Sequence, residues 1–383
     1  MILHRGVNTW PWFSLTREYP APRTDYGWPA FQDTRAVPRP EDLRRLNAIG
    51  LDFIRIPVDP GPFLAFDGPR LAALENMLFG AVAEGLAAGL SVIVNIQASG
   101  THYWTPERMY GSTDAPSFAQ YLRLIEIVAA RLGTLDLARV ALEPVNEPPQ
   151  SCMSMEWSRV QTALLEAARH AAPGLTLVAT GACGSMVSGL TGLDPAPLER
   201  LSPLLFTFHF YEPYLFSHQG APWMREPIYR ALNGVPWPAS AGSLDKTLAA
   251  VRARIAQDGE TPADVQRAAY AETEKALRVY FDANPDRPFL MKYLSMVKEW
   301  ADRHSIPSQH VLMGEFGALR TDSRYVAAPS ADRARYIRDV RTIAETLGFP
   351  WAFWDLFDGM GMMDDATRAL DPAMVKALGL ASS

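Results

Sequence analysis

Two glutamates have the type and setting for acid–base chemistry. Glu147 lies in Glu143-Pro144-Val145-Asn146-Glu147-Pro148, and Glu315 lies in Met313-Gly314-Glu315-Phe316-Gly317. Each closes a short apolar run. Further polar residues close similar runs: Asn8, Arg55 in Phe53-Ile54-Arg55-Ile56-Pro57, Asn95 and Gln97, His209 and Tyr211, and Asp355 after Trp354. An apolar interior tolerates few ionisable groups unless they are paired, so this recurrence needs a reason. A carboxyl pair can cleave a glycosidic bond. One member gives a proton to the leaving oxygen, and the other attacks or stabilises the anomeric carbon. The bland alternative is a structural ion pair of the glutamates with Arg55.

The elements that would position these residues follow from the apolar runs. Eight of them read as strands: Ile2–Asn8, Leu51–Val58, Ser91–Gln97, Arg139–Asn146, Leu175–Thr180, Leu204–Tyr211, His310–Glu315 and Phe349–Trp354. They are near-continuously apolar rather than alternating, as expected of strands buried on both faces. Helical stretches lie between them. Glu41–Ile49 follows Pro40, Leu71–Ala88 ends near Gly89, Ser117–Leu132 ends at Gly133, Met155–Ala172 precedes Pro173-Gly174, and Ala331–Leu347 precedes Gly348. These are ordinary start and stop signals. A weaker helix is expected at Ala196–Leu201. Eight alternating units point to a closed (β/α)8 barrel of the TIM type, with catalytic groups at the C-terminal strand ends. No GxGxxG follows the first strand, which removes the usual dinucleotide-binding variant.

Two segments exceed a minimal barrel. Residues 10–40 hold six prolines and Trp10, Trp12 and Trp28, and read as a long loop after the first strand. Tyr211 and Glu315 are 104 positions apart, against about 31 for a standard βα unit. Residues 212–285 therefore read as a partly helical, cap-like insertion within one catalytic domain spanning 1–383. Within it, 212–242 reads as loop. Helices are expected after Ser243, from Thr261-Pro262, and over Pro288–Arg303, which would be the barrel's own sixth helix.

Of 383 residues, 48% are hydrophobic and 20% charged, which allows a large core and argues against long disorder. The net charge of −6 disfavours a nucleic-acid partner. No run of 18 apolar residues predicts a membrane span. The opening MILHRGVNTW does not read as a signal peptide, so the compartment is cytoplasmic unless a leader was removed. A monomer is expected. Cys152 and Cys183 are too few for a disulfide scaffold or a four-ligand zinc site. Two buried free thiols are the expectation, with a disulfide between neighbouring strand-end loops also possible. No metal or other cofactor is expected, and Asp364-Asp365 reads as solvated surface.

The ordered motifs resemble those of glycoside hydrolase family 5, the cellulase-like (β/α)8 retaining enzymes. The resemblance rests on Arg5-Gly6-Val7-Asn8, Phe53-Ile54-Arg55-Ile56-Pro57, Val145-Asn146-Glu147-Pro148, His209-Phe210-Tyr211, Gly314-Glu315-Phe316-Gly317 and Trp354. Any one is weak; their order over almost the whole chain is specific. The resemblance implies an O-glycosyl hydrolase acting on a β-linked glucan or related oligo- or polysaccharide by double displacement. Glu147 would be the general acid/base and Glu315 the nucleophile. Asn146 would bond the sugar 2-hydroxyl, and Arg55 would keep the nucleophile ionised. Tyr211 would contact the nucleophile and His209 the acid/base. Trp354 would floor the −1 subsite.

This chain departs from the family pattern at the end of the third strand, where Gln97 replaces the usual histidine. Gln97 can bond a sugar but cannot titrate, and His102 in the following loop is a candidate to reach in. Trp10, Trp12, Trp104, Trp223 and Trp237 fall in mouth-side loops and are candidate sugar platforms, with loop packing as the plain alternative for each. Trp157, Trp300 and Trp351 read as packing. Met360, Met362 and Met363 read as core or as a soft cleft wall. Three rivals remain: a transglycosylase using the same glutamates, a non-catalytic carbohydrate-binding barrel, and a metal-dependent barrel hydrolase, which would lack the expected HxH strand motif.

Overall fold

The computed structural model describes residues 1–98, 102–224, 226–259 and 261–381. Among the described residues are ten strands: β1 (Arg5–Asn8), β2 (Thr16–Glu18), β3 (Tyr26–Phe31), β4 (Phe53–Val58), β5 (Ser91–Ile96), β6 (Val140–Glu143), β7 (Thr176–Thr180), β8 (Leu204–Phe210), β9 (Val311–Phe316) and β10 (Trp351–Phe353). Eight close into a parallel barrel in the order β1-β10-β9-β8-β7-β6-β5-β4. Helices run between successive barrel strands on the outside. The expected (β/α)8 barrel is the architecture observed.

Strand alternation sorts each apolar run into two layers. Ile54, Ile56, Val92, Val94, Leu142, Leu177, Phe206, Phe208, Met313 and Phe353 face outward into the main core beneath the helices. Residues of the other parity fill the barrel interior. Its floor is an apolar plug of Leu3, Phe53, Ile93, Ala141, Val178, Leu205, Leu312 and Ala352. Gly6 makes room for this plug, because a Cβ there would lie 2.4 Å from the Phe53 ring.

Two residues further along each of β4 to β8, the interior turns polar: Arg55, Asn95, Glu143, Thr180 and Thr207, all buried, with Asn8 beside them. One more inward step on β8 gives His209. The barrel is therefore closed by hydrocarbon at the bottom and opens upward through hydrogen-bonding groups.

The two excess segments differ in detail from the loops expected. Residues 10–40 contain an antiparallel hairpin, β2 against β3. Sequence periodicity misses it because β2 is three residues long and β3 carries Gly27 and Pro29. Within 212–242 there are short helices at Tyr214–Ser217 and Pro227–Ala231 and a 3-10 turn at Ala239–Ala241. The later helices fall close to their expected places: Leu244–Ala256 capped by Ser243, Ala263–Ala283, and Arg287–Arg303 capped by Asp286. The weak helix at Ala196–Leu201 is a 3-10 helix. Among the described residues no helix is long and apolar enough to cross a membrane.

Candidate active site

Arg55 organises the mouth of the barrel. It projects inward from β4, fully buried, and uses all five of its N–H donors. Nε and Nη2 donate to Glu143 Oε2 and Oε1 at 2.7 and 2.8 Å. Nη2 also donates to Asn146 Oδ1 at 2.7 Å. Nη1 donates to Asn8 Oδ1 at 2.8 Å and to Glu315 Oε1 at 2.9 Å. A buried guanidinium is tolerable only when paired this fully. Burial alone would lower its pKa, but Glu143 and Glu315 outweigh that and hold it charged. Asn8 in turn donates through Nδ2 to Gly314 O at 2.9 Å, which ties β1 to the strand carrying Glu315.

Glu315 is buried at the end of β9. Its Oε1 faces Arg55, and its Oε2 accepts from the Tyr211 hydroxyl at 2.9 Å. His209 Nδ1 stands 3.5 Å from the same oxygen. Burial, helped by the charge of Glu147, holds the Glu315 carboxyl above its ordinary value, against the opposing pull of His209, Arg55 and Tyr211. Tyr211 is itself pushed far up by burial and by Glu315, so it acts as a donor across the working pH range.

Glu147 sits differently. β6 ends at Glu143, so Asn146 and Glu147 lie in the loop beyond the strand, and Glu147 takes a left-handed φ of 44°. The loop docks back on the barrel through Asn146 N to Ile96 O at 2.9 Å. The Glu147 side chain is 42% exposed and bonds His209 Nδ1 at 2.7 Å. Burial would lower the His209 pKa, but the charges of Glu315 and Glu147 and the Glu147 hydrogen bond raise it.

Ligand atoms of Glu147, His209 and Glu315 all lie within 4.8 Å of one another. That spacing can also hold a divalent cation. The guanidinium 2.9 Å from Glu315 disfavours a second positive charge there.

The other expected residues divide. Trp354 follows β10, partly buried, with its ring 5.6 Å from that of Trp10. These two indoles share the mouth. Gln97 follows β5 with the inward parity of Ile93 and Asn95, and its backbone N–H bonds Val58 O at 2.8 Å. His102 does not join the carboxylates. Its backbone N–H and Nδ1 meet Glu18 Oε1 at 3.0 and 2.9 Å, and its Nε2 lies 2.5 Å from Arg23 O, so it fastens the β2–β3 hairpin.

Trp104 is buried and packs edge-on against Tyr103 in the main core, so the platform reading gives way to the packing one. Trp12 and Trp237 are buried too, the latter bonding Asp339 Oδ2 through Nε1. Trp223 is half-exposed. Trp157, Trp300 and Trp351 are core, as are Met360, Met362 and Met363. Asp364 caps Ala366 and Thr367, and Asp365 pairs with Arg324. The cysteines are neither free nor buried: Cys152 and Cys183 form a disulfide between partly exposed loops, Cα to Cα 4.7 Å. The loops after adjacent strands β6 and β7 bring them together.

Sequence reasoning missed Glu143 as a site residue. The signal was present: Glu143 is one inward step from Ala141, and Arg55 one step from Phe53, so both fall in one interior layer.

Comparisons with known proteins place the chain in a family. The family Cellulase (glycosyl hydrolase family 5) matches residues 24–359. The chain belongs to that family and has a (β/α)8 barrel fold. Among its relatives, Endoglucanase 3 of Fibrobacter succinogenes is 23% identical over 73% of this chain and 39% of its own length. Cellodextrinase A of Ruminococcus flavefaciens is 22% identical over 58% of this chain and 63% of its own. The chain thus spans less than two thirds of either curated relative. Among solved structures, the endoglucanase Cel5A of Thermotoga maritima superposes with a TM-score of 0.68, at 20% identity over 98% of this chain and 96% of that one. The cellulose synthase subunit Z of Clostridioides difficile gives 0.68 at 19% identity, covering 98% and 99%. At these identities the superpositions speak for the fold.

Proposed function

We propose that this protein is a retaining β-glycosidase that hydrolyses a β-linked glucan or related oligo- or polysaccharide by double displacement. The carrying observation is the contrast between two neighbouring carboxyls. Glu315 is buried against a guanidinium and a phenol, which favour its charged form. Glu147 is partly exposed, on a loop, and shares a hydrogen bond with His209. Groups with such different surroundings suit different roles. Glu315 attacks the anomeric carbon. Glu147 protonates the departing oxygen and then deprotonates the water that releases the sugar.

Their oxygens approach within 4.8 Å. That favours the roughly 5–5.5 Å carboxyl spacing of retaining enzymes over the ~6.5–9.5 Å that leaves room for an attacking water. Asn146 accepts from Arg55 through Oδ1, which leaves its amide N–H groups for other partners, consistent with a bond to the sugar 2-hydroxyl. Trp354 and Trp10 offer apolar faces for a sugar ring. The names of the curated relatives, an endoglucanase and a cellodextrinase, fit a β-glucan or its oligosaccharides as substrate.

The test is turnover of a panel of aryl β-glycosides, β-1,4- and β-1,3-glucans and mannan by wild type and Glu315→Gln. Wild-type turnover lost by at least about 10³-fold in Glu315→Gln supports the assignment. Near-normal turnover in Glu315→Gln refutes it.

A further inference from the structure

The loop that carries Glu147 is held from two sides. On one side Gln150 Nε2 donates to Tyr110 O at 2.6 Å and to Gly111 O at 3.1 Å. On the other it meets the turn 181–186 that follows β7. Cys183 N bonds Gln150 O at 2.8 Å, Gly184 N bonds Pro148 O at 3.0 Å, and the Cys152–Cys183 disulfide joins the two segments covalently.

The same turn also reaches His209. Ser185 O accepts the His209 backbone N–H at 2.7 Å, and Thr180 Oγ1 donates to Ser185 Oγ at 2.8 Å. The turn is compact. A Cβ on Gly189 would fall 1.9 Å from Ala182 O, and one on Gly181 would fall 2.1 Å from the Gly189 carbonyl carbon. One stiff segment therefore connects the carriers of both partners in the 2.7 Å His209–Glu147 hydrogen bond.

We propose that the Cys152–Cys183 disulfide is a positioning element for the general acid/base. It clamps the Glu147 loop onto the turn that supports His209, and so fixes the Glu147 carboxyl relative to Glu315. This inference rests on the reading of Glu147 as acid/base. It carries a chemical consequence, because both cysteines are partly exposed and within reach of a soluble dithiol. Attack by one thiolate of the reagent forms a mixed disulfide, and the second closes the reagent's own disulfide. The reagent loses two electrons, and its two protons end on Cys152 and Cys183 as thiols. Loosening the loop then slows the two steps that Glu147 serves, protonation of the leaving oxygen and deprotonation of the incoming water, of which kcat/KM reads only the first. A misplacement of about 1 Å can slow such a step ~100-fold.

The experiment compares kcat/KM for two aryl β-cellobiosides before and after dithiothreitol. A phenyl leaving group needs the acid; a 2,4-dinitrophenyl group departs without it. Reduction is expected to lower kcat/KM at least about tenfold for the phenyl substrate and less than about twofold for the dinitrophenyl one. Reoxidation restores it. A parallel fall for both substrates, or no change in either, overturns the proposal.

The double variant Cys152→Ser with Cys183→Ser should match the reduced wild type and ignore the dithiol. Should that variant fail to fold, Gln150→Ala releases the same loop with the cysteines intact and should give the same split; a parallel loss there counts against the proposal. Glu147→Gln on the same two substrates separates the two readings. If it shows the split while reduction does not, only the disulfide proposal fails. If Glu147→Gln shows no split, the acid/base assignment fails.

Discussion

Glu143→Gln is the most informative substitution outside the two carboxyls assigned to the reaction. Glu143 is fully buried and accepts two hydrogen bonds from Arg55, at 2.7 and 2.8 Å. Glutamine keeps the shape, but its amide must turn an N–H toward the guanidinium, so one bond becomes a donor–donor contact. The charge that offsets a buried arginine is lost as well. Breaking one side of a buried pair costs about 3–5 kcal/mol. Unfolding entropy of about 2.1 cal/mol/K per residue gives roughly 0.8 kcal/mol/K for 383 residues. The expected fall in Tm is therefore ~4–6 °C.

Activity should fall too, because Arg55 also orients Glu315 and Asn146, and a guanidinium freed on one edge lets both drift. A drop in kcat of about 10–100-fold is expected. Thermal unfolding by circular dichroism and steady-state kinetics read the two effects on one sample. Wild-type Tm together with wild-type kcat would refute the view that Glu143 holds Arg55 in place.

Other outcomes follow from the same geometry. Glu315→Gln should abolish turnover with little change in Tm, since the amide oxygen can accept from Arg55, the Tyr211 hydroxyl can turn to accept from the amide N–H, and Arg55 keeps its pairing with Glu143; a melt several degrees lower would show that the residue is chiefly structural. Asp355 is buried, and burial and Asp358 push its carboxyl well above the ordinary range against Arg320 and Arg333. A carboxyl raised in the folded state lowers stability as pH rises past its unfolded value. Asp355→Asn should thus raise Tm at pH 7 but not near pH 4, and equal shifts at both would contradict this. Burial raises Glu315 as well, so the acidic limb of kcat/KM should fall above the ~4.3 of a free glutamate. A limb below that value would contradict the direction. His209 is raised, so its stabilising contribution is complete below about pH 6.5 and lost as pH climbs through its folded value. His209→Asn should flatten that part of a Tm–pH curve, and an unchanged slope would refute it. Chelation by EDTA should leave activity intact, whereas loss restored by a divalent cation would favour the metal reading of the Glu147–His209–Glu315 cluster.

The barrel was legible because doubly buried parallel strands make continuous apolar runs, and a polar residue closing such a run is conspicuous. Arg55, His209, Tyr211 and Glu315 were visible in this way, and they do meet. Glu143 was not singled out because attention fell on Asn146 and Glu147 just beyond it; only the period-two parity of adjacent strands shows that Glu143 shares an interior layer with Arg55. For His102 and Trp104 the reason is different. Sequence position puts a residue in a mouth-side loop, but the hairpin that captures His102 and the core that swallows Trp104 come from distant segments. The disulfide depended on how closely the loops after β6 and β7 approach, which local sequence does not encode.

The central claim is retention through a covalent intermediate on Glu315. Its most direct test is proton NMR of the first sugar released by the wild type from an aryl β-cellobioside, recorded before mutarotation. The account predicts the β-anomer first, with no such product from Glu315→Gln. Appearance of the α-anomer first would mean inversion, and would contradict the double displacement assigned to Glu147 and Glu315.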